Sequence, residues 1–512
     1  MATSGHPIHR SFSHTRQSAA MFAGIFATAS LLAVAIYGGN GPLLLGVAVL
    51  VGMVVVLLRR PTNVTVVVTF VLYSNVTAAF AKHVGAPTWL AAALFGLLAV
   101  PLAQYLVVER KGLITNRVLG LMVAYLGCLI ASALLSRVPD QSTDKLITYT
   151  LEGLVLFFLL INTVRTSEVL RKVLWSVVIA GVLMGGVSIY QEVTRTFRTT
   201  LFGMGTVDDK QIGTGQSDRN TQKITRPRVA GSIGEPNRYA QLMLVLLPIT
   251  FVLARSEPSR RMRILASASM APILAGMVLT YSRGAAVALA LLLLMLLLGG
   301  YMRVRHVIGF GALALVLVVY VAPDIVHRVT TLARLDSIAS WTSRGADSSM
   351  RERATLNVAS FRMFLDHPIL GVGPGQAKYY MTKYGHSSSL SRIQGTRRAH
   401  SMYLEELAST GIIGFGFFAA ILVVTVRGLL HARRHLRRVC SNDSMLATGL
   451  LYALCAYLVT ALFLHLSYER YFWFLVAVSV AAARIWMMTS PAAPLDSVIL
   501  VPEKEVTLHE NS

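Results

Sequence analysis

Residues 264–300 read ILASASMAPILAGMVLTYSRGAAVALALLLLMLLLGG, an apolar run of a length that a soluble domain rarely builds, interrupted only at Ser282-Arg283-Gly284. A spanning helix needs roughly 20 apolar residues, so the stretch is too long for one crossing. An arginine at the centre of a span costs roughly 2.5 to 3.5 kcal/mol on insertion scales. The run therefore reads as two membrane helices joined by a very short turn that carries Arg283. The fold class follows from this pattern, because similar runs recur along the chain.

The composition agrees. The 512 residues are 54% hydrophobic and only 14% charged, with a mean hydropathy of +0.60, against roughly 25% charged residues in a soluble chain. Apolar runs are expected as helices at 20–37, 42–58, 64–81, 87–108, 118–135, 147–163, 171–190, 232–254, 263–281, 284–299, 305–322, 402–426, 446–466 and 470–488. The expected fold is an all-α polytopic membrane bundle of about fourteen helices. Its parts are a tail at 1–19, seven helices over 20–190, a loop at 191–231, four helices over 232–322, a large loop at 323–401, three helices over 402–488 and a second tail at 489–512.

The 47 Lys and Arg against 24 Asp and Glu give a formal charge of +23. In a soluble protein that excess points to nucleic acid. Here cytoplasmic loops collect it, so no nucleic-acid partner is expected. With the N-terminus inside, clusters such as Arg59-Arg60, Arg260-Arg261 and Arg433-Arg434 all fall on the cytoplasmic side, as do both termini. The opposite loops hold only Lys82, Arg137 with Lys145, Arg283 and Arg470. The apolar run after Arg10 and Arg16 lacks a small-residue cleavage site and reads as an uncleaved first helix. Cys128, Cys440 and Cys455 match neither a zinc spacing nor a disulfide framework, and no metal or cofactor is expected.

Both long loops fall outside. The second contains a stretch, residues 350–365, in which Leu356, Ala359, Phe361 and Phe364 alternate with charges at helical spacing, as in an amphipathic helix lying on or over the bundle. The segment 366–375, DHPILGVGPG, has the glycines of a phosphate loop without its Lys-Ser/Thr, and reads as a tight turn.

Three places carry candidate chemistry. Arg226 and Arg228 precede Gly231-Ser232-Ile233-Gly234-Glu235-Pro236-Asn237, where Pro236 suits a helix first turn and the helix N-terminus beside two guanidinium groups makes an anion site; the alternative is contact with lipid headgroups. Arg283 sits at the bilayer edge or inside the bundle, where charges are functional candidates by default; the alternative is snorkelling to the interface. His400, where the large loop enters a helix, has the proton affinity of a general base; the alternative is a structural hydrogen bond. Sidedness groups them, since the expected topology puts all three on one face. Intramembrane Glu152 is either an arginine's buried partner or an ion-coupling group.

Arg228 with Gly231 and Glu235-Pro236-Asn237, then Tyr281-Ser282-Arg283-Gly284, then Arg353 ahead of Asp366-His367-Pro368-Ile369-Leu370-Gly371-Val372-Gly373, then His400 with Tyr403-Leu404 and Thr410-Gly411-Ile412-Ile413-Gly414, together resemble the bacterial O-antigen ligase and O-antigen polymerase family. The resemblance covers Arg226 to Phe418. It implies a metal-independent, inverting glycosyltransferase without cofactor, multi-pass in the plasma (inner) membrane. Its donor would be a glycan on a polyprenyl diphosphate, and its acceptor a glycan, lipid or protein hydroxyl on the extracytoplasmic face. It implies that Arg228 and Arg283 hold the donor diphosphate and that His400 is the base, with Arg226, Arg353, Glu235 and Asn237 in support. Ser401 stands where the family often has Asn, which bears on the acceptor. A ligase is the favoured reading, a polymerase of the same family the alternative. A transporter or flippase would call for several intramembrane acids and repeated halves; the chain offers Glu152 and no visible repeat.

Overall fold

The computed structural model describes residues 61–77, 79, 94–136, 139–197, 201, 203–208, 228–305, 308–309, 311–312, 348–386, 398–439, 441–466 and 469–488. The helices expected at 20–37 and 42–58, most of that at 305–322, both tails and Arg226 lie outside the described residues. The chain divides into two compact units, residues 1–65 and 66–512. Of the first, only the opening of one helix is described; the second holds all the remaining described residues.

The elements are α1 (Pro61–Ser74), α2 (Ala99–Ala103, continuous with a 3-10 helix Leu94–Leu98 before it and a π-helical stretch Gln104–Val108 after it), α3 (Arg117–Leu134), α4 (Pro139–Thr148), a π-helical stretch Tyr149–Val155, α5 (Leu156–Thr163), α6 (Ser167–Thr194), β1 (Thr206–Asp208), β2 (Arg228–Gly231), α7 (Pro236–Ser256), α8 (Arg260–Val278), α9 (Arg283–Leu298), α10 (Ser348–Asp366), α11 (Ala377–His386), α12 (Met402–Val439), α13 (Ser441–Thr460) and α14 (Glu469–Met488). By length and composition, seven helical segments among the described residues can cross a membrane: Arg117–Leu134, Ser142–Thr163, Ser167–Thr194, Pro236–Ser256, Met402–Leu436, Asn442–Thr460 and Glu469–Met488. Shorter apolar helices lie at Thr62–Ser74, Phe95–Val108 and Arg283–Leu298. The chain is a helical membrane protein.

The helices start where capping chemistry allows. Asn116 Oδ1 accepts from the Leu119 N–H at 2.8 Å and opens α3, Thr166 does the same for α6, and Pro236 sits in the first turn of α7, where its missing N–H costs nothing. The expected break at Ser282 is real: α8 ends at Val278, and the Ser282 hydroxyl caps α9 by accepting from Ala285 N. α7 and α14 are buried along nearly their whole length, as expected of helices that are apolar all round. α7 packs on α8 and α13, and α12 on α3, α13 and α14. Val123, Ile130 and Leu134 on α3 stay exposed, a face suited to lipid.

Several expectations are corrected. A two-stranded antiparallel sheet, β1 with β2, interrupts the all-α pattern and holds Arg228. The helix expected at 402–426 runs on to Val439. Lys145 and Arg470, assigned to short loops, lie in α4 and α14, because each finds a carboxylate inside the bundle. The helix expected at 350–365 is present as α10, but its buried stripe is Leu356, Ala359 and Met363, while Phe361 is 47% exposed. A second helix, α11, follows it and packs against it.

The glycine-rich turn after α10 locks into a kink in α12. Gly411 has φ 63° inside that helix, which opens its hydrogen-bond ladder. The turn closes it: Val372 N donates to Ala408 O at 2.9 Å, Gly373 N to Ser409 O at 3.1 Å, and Ile412 N to Pro368 O at 2.8 Å. A Cβ on Gly411 would overlap the Ile369 carbonyl, and one on Gly371, also at positive φ, the Ser409 carbonyl. Both backbones approach this closely only because neither residue has a side chain.

Candidate functional site

One end of the bundle gathers the N-termini of α7, α9, α12 and α14 with the C-termini of α8 and α13. Hydrogen bonds tie these ends together. Arg228 Nε, on β2, donates to the Thr280 carbonyl at 2.8 Å, at the end of α8. Its Nη2 donates to Asn237 Oδ1 at 3.0 Å, in the first turn of α7. Arg283 follows Thr280 by three residues and is half-buried at the start of α9. Between them Tyr281 is held at φ 55°, a conformation that costs a bulky residue roughly 1 to 3 kcal/mol and collects at functional sites. Arg228 is thus tied to Asn237 and to the Thr280 carbonyl, three residues ahead of Arg283. Glu235 takes the N-cap position of α7 in extended backbone, without a side-chain cap bond.

The strand carrying Arg228 is anchored from behind. Ser232 Oγ donates to Ser74 O and Asn75 Nδ2 donates to Ser232 O, each at 2.7 Å. Asn75 Oδ1 accepts from Arg470 Nη2 at 2.5 Å, and Arg470 Nη1 lies 3.8 Å from Glu152. Glu152 is therefore an arginine's partner, the first of its two expected roles.

His400 is half-buried just ahead of α12. It is connected to the arginines by the segment 461–466, between α13 and α14. Met402 N donates to Ala461 O at 2.9 Å, and the His465 ring meets that of His400 edge to face, centroids 6.4 Å apart. The His465 carbonyl accepts from Arg238 Nη2, and Arg238 directly follows Asn237. A Cβ on Gly284 would lie 3.4 Å from the Phe463 ring, so the same segment also covers the start of α9. Arg353 stands apart on α10, half-buried, in the helix group that packs on α11 and α12.

Two residues before His400, Arg398 joins Lys145, Lys378, Glu405, Glu406 and Glu469 in lining part of a pocket. Lys145 pairs with Glu469, Glu406 accepts from Tyr125 Oη at 2.5 Å, and Glu405 accepts from Leu466 N at 3.1 Å. Sequence reasoning missed this set, and with it Arg238 and His465. The usable signal was charge: Arg238, 1% exposed, follows the Glu-Pro-Asn motif inside an apolar helix, where a cation is a site candidate. His465 looked like the frayed end of an apolar run. Burial, then the charges of Arg238, Arg398, His400 and Lys145, push its imidazole pKa down to about 2.

Chemically, this end offers guanidinium groups and helix N-termini, both attractive to an oxyanion, next to a histidine able to take a proton. This end of a membrane bundle is therefore chemically able to attract an anionic group. Residues 268–419 match the family model described as O-antigen ligase, the family that the chain's motifs resemble. The match holds Arg283, Arg353, the 366–375 turn and His400, whereas Arg228, Asn237, Arg238 and His465 fall outside it. No curated protein matches the chain.

Proposed function

We propose that the protein transfers a glycan from a polyprenyl diphosphate carrier to an acceptor hydroxyl, as a ligase at the extracytoplasmic face of the plasma membrane. The observation that carries this reading is the tie from Arg228 to Thr280 and Asn237, at the same bundle end as Arg283 and His400. In the reaction the acceptor oxygen attacks the anomeric carbon, the bond from that carbon to the diphosphate oxygen breaks, and configuration inverts. Arg228 and Arg283 stabilise the charge that builds on the departing diphosphate. His400 takes the hydroxyl proton and later releases it to water, so the step asks for no metal ion. The basic clusters at alternate turns support the orientation, with fourteen helices and both termini in the cytoplasm.

The test is glycan profiling of a deletion strain complemented with the wild-type protein or with His400→Ala, resolving surface polysaccharide from lipid-linked intermediate. Long lipid-linked chains that accumulate unattached identify a ligase. Accumulation of single repeats identifies a polymerase. Substrate trapped on the cytoplasmic face, with both other pools unchanged, would replace the transferase by a transporter.

A further inference from the structure

The segment 461–466 has two features that the proposed transfer does not use: a histidine, and the care with which its backbone is held. Around His465 the chain is fastened to three separate elements. Its own carbonyl takes the Arg238 guanidinium of α7. The next residue, Leu466, donates its N–H to Glu405 of α12 at 3.1 Å and offers its carbonyl to Lys145 of α4 at 3.4 Å. A turn fixed in this way presents its side chain in one orientation.

That side chain faces His400. The rings stand at 71° with centroids 6.4 Å apart. A direct imidazole to imidazole hydrogen bond brings the centroids to about 5 Å, so the two interact by packing and by charge rather than by sharing a proton. His465 Nδ1 is buried without a hydrogen-bond partner among the described residues. Unpaired buried nitrogen is costly, and a phenylalanine or leucine would fill the same space without that cost.

We infer that His465 is a positioning residue for His400: a ring, fixed by the bundle, that packs edge to face on the base and walls it on one side. This inference rests on the reading of His400 as the base. The groups facing His465 explain the division of labour. Arg238 comes from α7, Arg398 and His400 from the approach to α12, and Lys145 from α4. Glu405 on α12 is committed to Leu466 N, and Glu469 on α14 is committed to Lys145. Cations dominate, and with burial they hold the His465 imidazole far below its ordinary proton affinity. Of two neighbouring imidazoles, only His400 is then open to the acceptor proton.

The experiment uses the full chain in isolated membranes, with the strain's own polyprenyl-diphosphate-linked glycan as probe, and follows the initial rate of its loss against pH. His465→Ala is expected to lower the limiting rate about tenfold with the donor KM within about twofold, and His465→Phe to restore the rate to within about threefold. His465→Arg places a fixed like charge beside the base, lowers its pKa, and moves the acid limb of the profile down by about one pH unit. A wild-type rate and profile in His465→Ala, or an unmoved acid limb in His465→Arg, overturns the inference. His400→Ala separates the two readings: if it is inactive while His465→Ala is fully active, this inference alone fails, and if it is active, the base assignment itself fails. Should the alanine variant not fold, ¹⁵N-histidine spectra of the wild type decide, with the His465 signal assigned by its loss in His465→Phe. The ring is expected to stay neutral from pH 8 to pH 5, and titration near 6.5 would sink the idea.

Discussion

Arg228 is bonded to the carbonyl of Thr280, three residues ahead of Arg283, although the two lie 52 positions apart in the chain. Because Nε and Nη2 make different contacts, the guanidinium plane is fixed and not only its charge. A lysine has one donor centre and cannot reproduce both. Arg228→Lys is expected to lose at least about tenfold in transfer rate, and Arg283→Lys to be impaired as well, with membrane insertion checked by protein level. Full activity in both would reduce these residues to point charges.

Arg228→Ala, Arg283→Ala and His400→Ala should each abolish transfer while the protein still inserts. Asn237→Ala removes only the second anchor of Arg228, so a partial loss, about threefold to tenfold, is expected. The check is glycan output normalised to protein in the membrane. Normal output from all three alanine variants would refute the site while leaving the fold untouched.

Lys145 and Glu469 form an ion pair whose carboxylate is almost wholly buried, with 3% of the side chain exposed. Removing one partner of a buried pair costs roughly 3 to 5 kcal/mol, because the other charge stays behind. Glu469→Gln should accordingly lower the melting temperature in detergent, and Lys145→Met combined with Glu469→Leu should recover much of the loss. Additive losses in the double variant would contradict the pairing.

Gly411 and the turn at Gly371 interlock through bare backbone. Gly411→Ala has to displace the Ile369 carbonyl and adopt a positive φ, so destabilisation by at least about 1 kcal/mol is expected. Gly416, five residues further along the same helix, has open space around it, and its alanine variant should be neutral or slightly stabilising. Melting temperatures of the two variants side by side provide the measurement.

His465 also sets an acid dependence of stability. Its folded pKa, about 2, lies below its unfolded value near 6.5, so the unfolded chain binds the extra proton between these limits. Stability is therefore complete above about pH 6.5 and declines as the pH falls toward 2. Between pH 7 and pH 5 the melting temperature should drop, and His465→Phe should flatten part of that drop. An identical slope in both proteins would show that the ring is not held neutral.

The sequence by itself determined the class of fold and marked the candidates for chemistry, for reasons that are local. Apolar runs of membrane length, proline in the first turn of α7 and the cap at Ser282 act within a few residues, and Arg228, Arg283 and His400 stand out because charge in such surroundings is costly. Tertiary structure decided which residues meet. The kink at Gly411 in α12 is satisfied by a turn some forty residues earlier, and Lys145 and Arg470 lie in helices where they meet Glu469 and Glu152. Arg238 and His465 join the site through one carbonyl, supplied by a segment that looked like the end of an apolar run. Periodicity reports which face of a helix is buried; it carries no information on which loop closes over that helix's end, since that contact forms between groups hundreds of positions apart.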